Sequence, residues 1–191
     1  HGDEHYSERL VRLKHMPTYY YKPAIPAQRS KTEFGLEEGR TAYLCPQSLF
    51  KFHPEFDELL AGVLRADPQG ELVLIEGQCK HFTDMLASRF RRSFCDVHDR
   101  VRFLKRQTMV NFRGLLSAVD VILDPLHWSG GNTTYEALFS GTPIVTLPSE
   151  FMRGRVTYGC YKSMEMMDCV ASTKEDYVKL AVRLGTDRAF R

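Results

Sequence analysis

The sequence predicts an α/β domain in which helices cover both faces of a doubly wound parallel sheet. Short apolar runs alternate with helix-like segments six times along the chain. The apolar runs lack the alternation of a half-exposed strand, which indicates strands buried on both faces. Ligands bind such sheets beyond the carboxyl ends of the strands, so residues that follow a predicted strand are the first candidates for chemistry.

The composition is that of an ordinary globular domain. The 191 residues suit one α/β domain with a short extra segment, and the hydrophobic and charged contents are 43% and 26%. A net charge of +2, with scattered basic residues, argues against a nucleic-acid partner. The five cysteines form no Cys-x-x-Cys pair, which favours reduced thiols in the cytoplasm. No apolar run predicts a membrane span, and no signal peptide is recognisable.

The chain divides at about residue 40. Residues 41–191 are predicted to form the sheet domain, and 1–40 a connecting segment that packs onto a neighbour; the family resemblance described below implies that this segment comes from a preceding lobe. The start at His1, without a methionine, predicts that the chain is a piece of a longer protein. The connecting segment holds residues that resist a long helix, namely Pro17, Pro23, Pro26 and the tyrosine run 19–21.

Local patterns place the elements of the sheet domain. Proline in a first turn starts one helix at Pro54, Thr108 can cap another, and Ser172 or Thr173 the last. Further helices are expected over 80–93, at 132–140 and within 151–166. The predicted strands are 41–45, 72–75, 101–104, 121–123, 143–147 and 169–170.

The most informative stretch is a glycine-rich turn between a predicted strand and a predicted helix. The run 129–136, SGGNTTYE, follows the apolar segment 119–124. Backbone N–H groups at a helix start can hold phosphate, and glycines let phosphate approach the backbone. Glu136, one turn into the helix, lies where it could accept hydrogen bonds from ribose hydroxyls. The alternative is a flexible loop with an ordinary N-cap, but the spacing to Gly141-Thr142-Pro143 favours a nucleotide-sugar site.

Three stretches resemble bacterial members of the Spindly-like protein O-GlcNAc transferase family: 123–138, 141–148 and 182–187. The resemblance runs over most of the chain. It implies a GT-B glycosyltransferase, with this chain as its C-terminal, Rossmann-like, donor-binding lobe. The donor would be a UDP-sugar, most often UDP-GlcNAc, and the acceptor a Ser or Thr hydroxyl of a protein. No cofactor is implied, and the expected partners in the parent chain are the N-terminal catalytic lobe and tetratricopeptide repeats.

The resemblance also assigns a role to Lys51, which follows the first predicted strand. The family places a lysine here that contacts the donor diphosphate, and a cation so placed can stabilise charge on a departing diphosphate. Taken singly, a solvated surface lysine is the alternative. Relatives often have glutamine three residues earlier, where this chain has Ser48 with Gln47 beside it, so either residue is a candidate for donor contact.

The same resemblance implies that the loop after the third predicted strand holds the uracil, mostly through backbone groups of Arg106 and Gln107. Phe112 lies where the animal enzymes carry a histidine near the nucleotide, although its helical spacing fits the core equally well. Met109 replaces a lysine of those enzymes, so this chain has one cation fewer for the diphosphate unless Lys105 or Arg106 substitutes.

His127 and Trp128 precede the glycines. His127 is a candidate donor to phosphate or sugar oxygens, or a residue that only shapes the loop, and Trp128 could cover the sugar. The sequence has no Asp-x-Asp motif that would indicate a metal at the diphosphate. This fits a site in which a lysine and the helix dipole neutralise the charge of the diphosphate. The predicted UDP-sugar contacts are Gln47, Ser48, Lys51, Arg106, Gln107, Phe112, His127, Gly130, Gly131, Asn132, Thr133, Thr134 and Glu136, with Lys51 as the catalytic residue.

Three other functions stay open at this point. They are a GT-B transferase with another sugar or acceptor, a UDP-sugar epimerase, and a non-catalytic nucleotide-binding domain. A dinucleotide-dependent dehydrogenase is poorly supported, because no Gly-x-Gly-x-x-Gly follows an early strand. The isolated chain is expected to bind UDP weakly and to transfer nothing, since the acceptor side and the general base would lie in the preceding lobe.

Overall fold

The computed structural model describes residues 2–24 and 29–191, so Pro26 lies outside the described residues. Its centre is a five-stranded, all-parallel sheet in the order β3-β2-β1-β4-β5, as the alternation of apolar runs predicts. The strands are β1 (Thr41–Cys45), β2 (Gly70–Ile75), β3 (Val101–Leu104), β4 (Val121–Leu123) and β5 (Ile144–Val145).

In the described part of the chain, six α-helices connect and cover the strands. Pro54 occupies the first turn of α1, and the Thr108 hydroxyl accepts the Asn111 N–H at the start of α3. Thr173, rather than Ser172, caps α6 by accepting the Asp176 N–H. The helices are α1 (Pro54–Ala66), α2 (Lys80–Ser93), α3 (Met109–Ala118), α4 (Asn132–Phe139), α5 (Val156–Ser163) and α6 (Lys174–Thr186).

The order of the strands creates a switch point between β1 and β4. The chain builds the sheet outward from β1 through β2 to β3, then returns to place β4 on the other side of β1. The loops that leave the carboxyl ends of β1 and β4 therefore diverge from adjacent strands. Ligands of open α/β sheets bind in the crevice at such a point.

A dense apolar core holds this switch point in place. The α1 helix packs against α2 and α6, and α3 packs against α4. Tyr43, Phe56 and Tyr177 are fully buried between these layers. Each buried hydroxyl has a partner: Tyr43 donates to the Asp67 carboxylate at 2.8 Å and Tyr177 to the Asp124 carbonyl at 3.0 Å. The second bond ties α6 directly to the end of β4.

The sixth predicted strand is wrong, and the fifth is shorter than expected. The segment 169–170 makes one parallel bridge, between Thr146 and Val170, and β5 ends at Val145. Thr146 exchanges backbone hydrogen bonds with both sides of Val170, but Pro148 has no N–H with which to extend the ladder. The six apolar runs predicted as strands thus form five strands and one isolated β-bridge.

The first 40 residues contain little regular structure in their described part. Short 3-10 turns occupy Gly2–His5 and Lys31–Phe34. Tyr20 stacks on Tyr135 of α4, so part of this segment lies against the sheet domain. The domain division at residue 40 stays a prediction. Within the described residues, no helix is both long and apolar enough to cross a membrane.

Candidate nucleotide-sugar site

A cleft of about 500 Å³ opens at the carboxyl ends of β1, β2 and β3, beside the start of α4. Its volume lies within the usual range for small-molecule sites, and its lining is mostly apolar with a few polar groups. Eight of the predicted contact residues line it, namely Gln47, Ser48, Arg106, Gln107, Phe112, Asn132, Thr133 and Glu136. The fold therefore gathers at one place residues that are up to 89 positions apart in the sequence.

A chain of hydrogen bonds joins the β1 loop to the glycine-rich turn. Lys51 Nζ donates to Gln47 Oε1 at 2.8 Å and to the Ser129 carbonyl at 3.1 Å, and Gln47 Nε2 donates to Thr133 Oγ1 at 2.6 Å. Gln47, not the exposed Ser48, makes this link. Burial lowers the pKa of the half-buried Lys51, while the charge of Asp124 opposes that shift. A cation is thus held against the turn that precedes α4.

The turn itself is anchored on the buried carboxylate of Asp124. One oxygen accepts the Gly130 N–H at 2.8 Å, and the other accepts the hydroxyls of Ser129 at 2.6 Å and Thr146 at 2.8 Å. Burial raises the pKa of Asp124, and these hydrogen bonds act in the opposite direction. The Gly130 amide is therefore committed to the protein interior.

Two amides at the start of α4 face no protein acceptor. The Thr134 N–H donates to the Gly131 carbonyl at 2.9 Å. The N–H groups of Asn132 and Thr133 have no acceptor in the part of the chain that the structure describes. Together with the helix dipole, they offer an anion two oriented donors. The Thr134 hydroxyl, by contrast, is buried 3.0 Å from Thr157 Oγ1, so it is directed into the protein.

The two glycines of the turn have different surroundings, which gives a matched pair of variants. A Cβ on Gly130 would lie 2.4 Å from Thr134 Oγ1 and 2.9 Å from Gln47 Nε2, whereas a Cβ on Gly131 meets nothing within 4 Å. We expect Gly130→Ala to lower the free energy of unfolding by about 1–3 kcal/mol. Gly131→Ala should preserve the fold but weaken UDP binding by roughly ten- to a hundredfold, because the methyl group would keep phosphate from the amides.

Thermal unfolding and UDP titration of both variants check this expectation. Equal stability of the two variants would contradict the packing assigned to Gly130. Unchanged UDP affinity in Gly131→Ala would contradict the placement of phosphate at the start of α4.

Glu136 lies at the inner wall of the cleft and is buried, with an exposed fraction of only 3%. It accepts a hydrogen bond from Arg113 Nε at 3.2 Å, which compensates its charge. Tyr20 lies close by: burial raises the pKa of its hydroxyl, and the charge of Glu136 raises it further. The carboxylate keeps additional acceptor capacity toward the cleft, as the predicted contact with ribose hydroxyls requires.

The loop after β3 forms another wall. Arg106 and Gln107 both line the cleft, and the Gln107 side chain folds back to donate to the Lys105 carbonyl at 2.6 Å. Arg106, and not Lys105, is therefore the cation that this loop brings to the cleft. Phe112 is partly buried, lines the cleft and also packs against the core, so both roles considered for it are compatible with its position.

Lys51, His127 and Trp128 line a second hollow on the other side of the β1 loop. It has a volume of about 630 Å³ and is lined by the segments 50–54 and 126–128 and by Arg153. His127 turns toward His53, with ring centroids 4.8 Å apart, rather than into the main cleft. Trp128 meets the edge of Phe50, which borders both cavities.

Three residues that shape the site were not predicted from the sequence: Asp124, Arg113 and Tyr20. Asp124 ends the apolar segment that precedes the glycine-rich turn, and its place directly after a strand is the signal that could have identified it. Arg113 carries no such signal, because its pairing with Glu136 depends on how α3 and α4 pack. Tyr20 lies in the connecting segment, where no periodic pattern indicates contact with the cleft. The loop after β2 also contributes to the lining, through Glu76, Gly77 and Gln78.

The doubly wound parallel sheet, with a lysine and a glycine-rich helix start at its switch point, has the fold of one lobe of a GT-B glycosyltransferase. The chain belongs to glycosyl transferase family 41, whose family model matches residues 22–191. This agrees with the motif resemblance at the level of the family.

Relatives and solved structures support this assignment. The chain is 27% identical over 200 residues to the probable UDP-N-acetylglucosamine–peptide N-acetylglucosaminyltransferase SEC of Arabidopsis thaliana, a match that covers 96% of this chain and 19% of that protein. A transferase of the corresponding name from Caenorhabditis elegans is 41% identical over 75 residues, or 39% of this chain and 6% of that protein. A mutant of the Thermobaculum terrenum O-GlcNAc transferase superimposes with a TM-score of 0.81 at 29% identity, over 98% of this chain and 35% of that one. The chain thus spans about a third or less of these proteins.

Proposed function

We propose that the chain is the donor-binding lobe of an enzyme that transfers N-acetylglucosamine from UDP-GlcNAc to Ser or Thr hydroxyls of proteins. One observation carries the proposal: Lys51 and the free amides of Asn132 and Thr133 converge on the switch point of the sheet beside a cleft of nucleotide size. Membership of family 41 and the names of the relatives support the sugar and the acceptor.

In this proposal the lobe stabilises the leaving group of an inverting displacement. The acceptor oxygen attacks the anomeric carbon, the bond from that carbon to the phosphate oxygen breaks, and UDP leaves with the electron pair. Lys51 and the amides at the start of α4 stabilise the negative charge that develops on the diphosphate. The hydroxyl proton passes to a general base in the preceding lobe of the parent chain.

The remaining contacts orient the donor. Glu136, held by Arg113, accepts hydrogen bonds from the ribose hydroxyls, and the loop at Arg106 and Gln107 holds the uracil against Phe112. Lysine and helix dipole together provide the charge that a metal supplies elsewhere, so we propose transfer without a metal at the diphosphate and without a cofactor. The nucleotide then lies in the main cleft with its diphosphate toward Lys51.

Several finer features belong to the same proposal. We place the parent protein among the bacterial, Spindly-like members on the strength of the stretches 123–138 and 141–148; the Petunia hybrida protein named SPINDLY is 25% identical over 94% of this chain. An N-terminal catalytic lobe and tetratricopeptide repeats are the proposed partners within the parent chain. A cytoplasmic location is proposed because all five cysteines lie in the described part as free thiols.

Titration of the chain with four nucleotides tests the proposed donor. Calorimetry should detect binding of UDP and UDP-GlcNAc, weaker binding of UDP-Glc, and none of NAD. Glu136→Ala should weaken UDP binding by at least about tenfold, because hydrogen bonds from the ribose to a charged acceptor are lost.

Glu175→Ala provides the matched control, since Glu175 is an exposed carboxylate on α6. It should bind UDP as the unaltered chain does. Binding of NAD but not UDP would refute the proposed donor. An equal loss of affinity in both variants would refute the role of Glu136.

A further inference from the structure

Three side chains outside the main cleft meet at the edge of the second hollow. They are His53 at the N-cap of α1, Glu55 in its first turn, and His127 in the loop after β4. One candidate ligand atom from each lies within 4.8 Å of the others. His127 Nε2 is 3.6 Å from Glu55 Oε2, and His53 Nδ1 is 3.8 Å from Glu55 Oε1. Residues that are 72 to 74 positions apart are thus brought together by the pairing of β1 with β4.

The two imidazoles lie close together, with their ring centroids 4.8 Å apart. Their rings are nearly perpendicular, at 80°. The backbone of His127 has a φ of 66°, in the left-handed region that residues other than glycine rarely adopt. This loop conformation is what turns the His127 ring toward His53. None of the three residues lines the main cleft, although His53 and His127 border the second hollow together with Lys51.

We propose that His53, Glu55 and His127 form a binding site for a divalent transition-metal ion, with zinc as the best match. Two imidazoles, one carboxylate and an open position for water make up a common four-coordinate zinc set. Imidazole nitrogens favour zinc over magnesium or calcium, which prefer oxygen ligands. The three ligands lie outside the main cleft, so an ion held by them is compatible with transfer that needs no metal at the diphosphate.

The geometry fits zinc after a modest closure. Bonds of about 2.0–2.1 Å in a tetrahedron put neighbouring ligand atoms roughly 3.3 Å apart. The distances of 3.6 and 3.8 Å, which run to different oxygens of Glu55, are longer than this, and the ligand atoms of the set lie within 4.8 Å of one another. All three side chains are close to half exposed, with side-chain fractions of 49%, 48% and 45%, so they can rotate inward. A bound ion would link the start of α1 to the loop that ends at Ser129, the acceptor of Lys51.

Two neighbouring groups oppose the ion. The Glu55 backbone N–H already donates to His53 Nδ1 at 3.3 Å, so the ion would have to displace this helix cap. Lys174 Nζ lies 3.2 Å from Glu55 Oε2, on the same oxygen that faces His127. Its ammonium partly neutralises the carboxylate and repels a second cation. Removal of this charge should therefore strengthen metal binding, a response that would not be expected from a cluster of surface side chains with no affinity for metal.

Zinc titration of the full 191-residue chain tests the site. Cys79 and Cys95 are exposed thiols and are first replaced by serine so that they do not bind zinc. Calorimetry in a non-coordinating buffer, without nucleotide, should show one zinc ion bound, with magnesium bound far more weakly. His127→Ala should weaken zinc binding by at least about tenfold. His81→Ala, at an exposed histidine of α2, should leave it unchanged.

Lys174→Met supplies the second measurement, with an expected gain of about two- to fivefold in zinc affinity. Equal affinity in His127→Ala and His81→Ala would mean that zinc is held by other histidines and would overturn the proposal. Affinity unchanged in Lys174→Met would overturn the assignment of Glu55 as the third ligand. Because no nucleotide is present, none of these outcomes depends on the proposed transferase function.

Discussion

Lys51→Met should lower the turnover number of the full-length parent transferase by about 100- to 1000-fold, the usual effect of removing one donor that stabilises charge in a transition state. Methionine keeps the length and the apolar contacts of the side chain but not the ammonium. The ammonium lies 3.1 Å from the Ser129 carbonyl, in the turn that precedes α4, where we propose that the leaving diphosphate gains negative charge. KM for the donor should change less than turnover, because the interaction strengthens as the charge develops.

Initial-rate kinetics with UDP-GlcNAc and a peptide acceptor provide the measurement. Lys179→Met, at an exposed lysine of α6, is the matched control and should retain full activity. Lys51→Arg should recover part of the lost turnover, since it restores the charge with a different geometry. A Lys51→Met enzyme of normal turnover would show that the diphosphate is stabilised without this residue. A loss confined to KM would assign Lys51 to ground-state binding alone.

Most of the fold could be predicted from the sequence, because each buried strand carries its own apolar run. The strand 121–123 and the caps at Thr108 and Thr173 follow directly from local patterns, and the structure confirms them. The error at 169–170 has a different origin. Val170 has the apolar character of a strand, but whether it pairs over several residues depends on the partner, and Pro148 ends that partner early. Pairing is a property of two segments, which one segment alone does not reveal.

The site was predictable only where its residues follow strands. Gln47, Lys51 and the glycine-rich turn stand after β1 and β4, and the switch point brings them together. Arg113 and Tyr20 were not predictable, because their contacts arise from the packing of helices and of the connecting segment. The direction of His127 also could not be foreseen, since it depends on a left-handed backbone conformation at a residue other than glycine. The binding role of each residue stays a prediction until the titrations are done.

Asp124→Val should lower the free energy of unfolding by roughly 3 kcal/mol, because the substitution removes the acceptor of a buried amide and of two buried hydroxyls. Valine is apolar and accepts no hydrogen bond. The buried Gly130 N–H would lose its acceptor, at a cost of about 1–3 kcal/mol for this donor alone. For a chain of this length the expected fall in Tm is about 6–12 °C.

Asp124→Asn should lower the free energy of unfolding by only about 1 kcal/mol. The difference between the valine and asparagine variants separates the effect of hydrogen bonding from that of charge. The amide oxygen can still accept from Gly130, and the hydroxyls of Ser129 and Thr146 can rotate to accept from the new NH₂ group. Thermal unfolding measures the stability of both variants, and hydrogen exchange at the Gly130 amide should accelerate far more in the valine variant.

If both variants lost the same stability, the negative charge itself would be required. The function of Asp124 would then be to attract Lys51 rather than to fix the shape of the glycine turn. If Asp124→Val were stable but bound UDP poorly, the turn would be held by other contacts. We expect the valine variant to be much less stable than the asparagine variant, and the asparagine variant to be nearly as stable as the unaltered chain. This order of stabilities follows only if the carboxylate acts as the acceptor that fixes the turn.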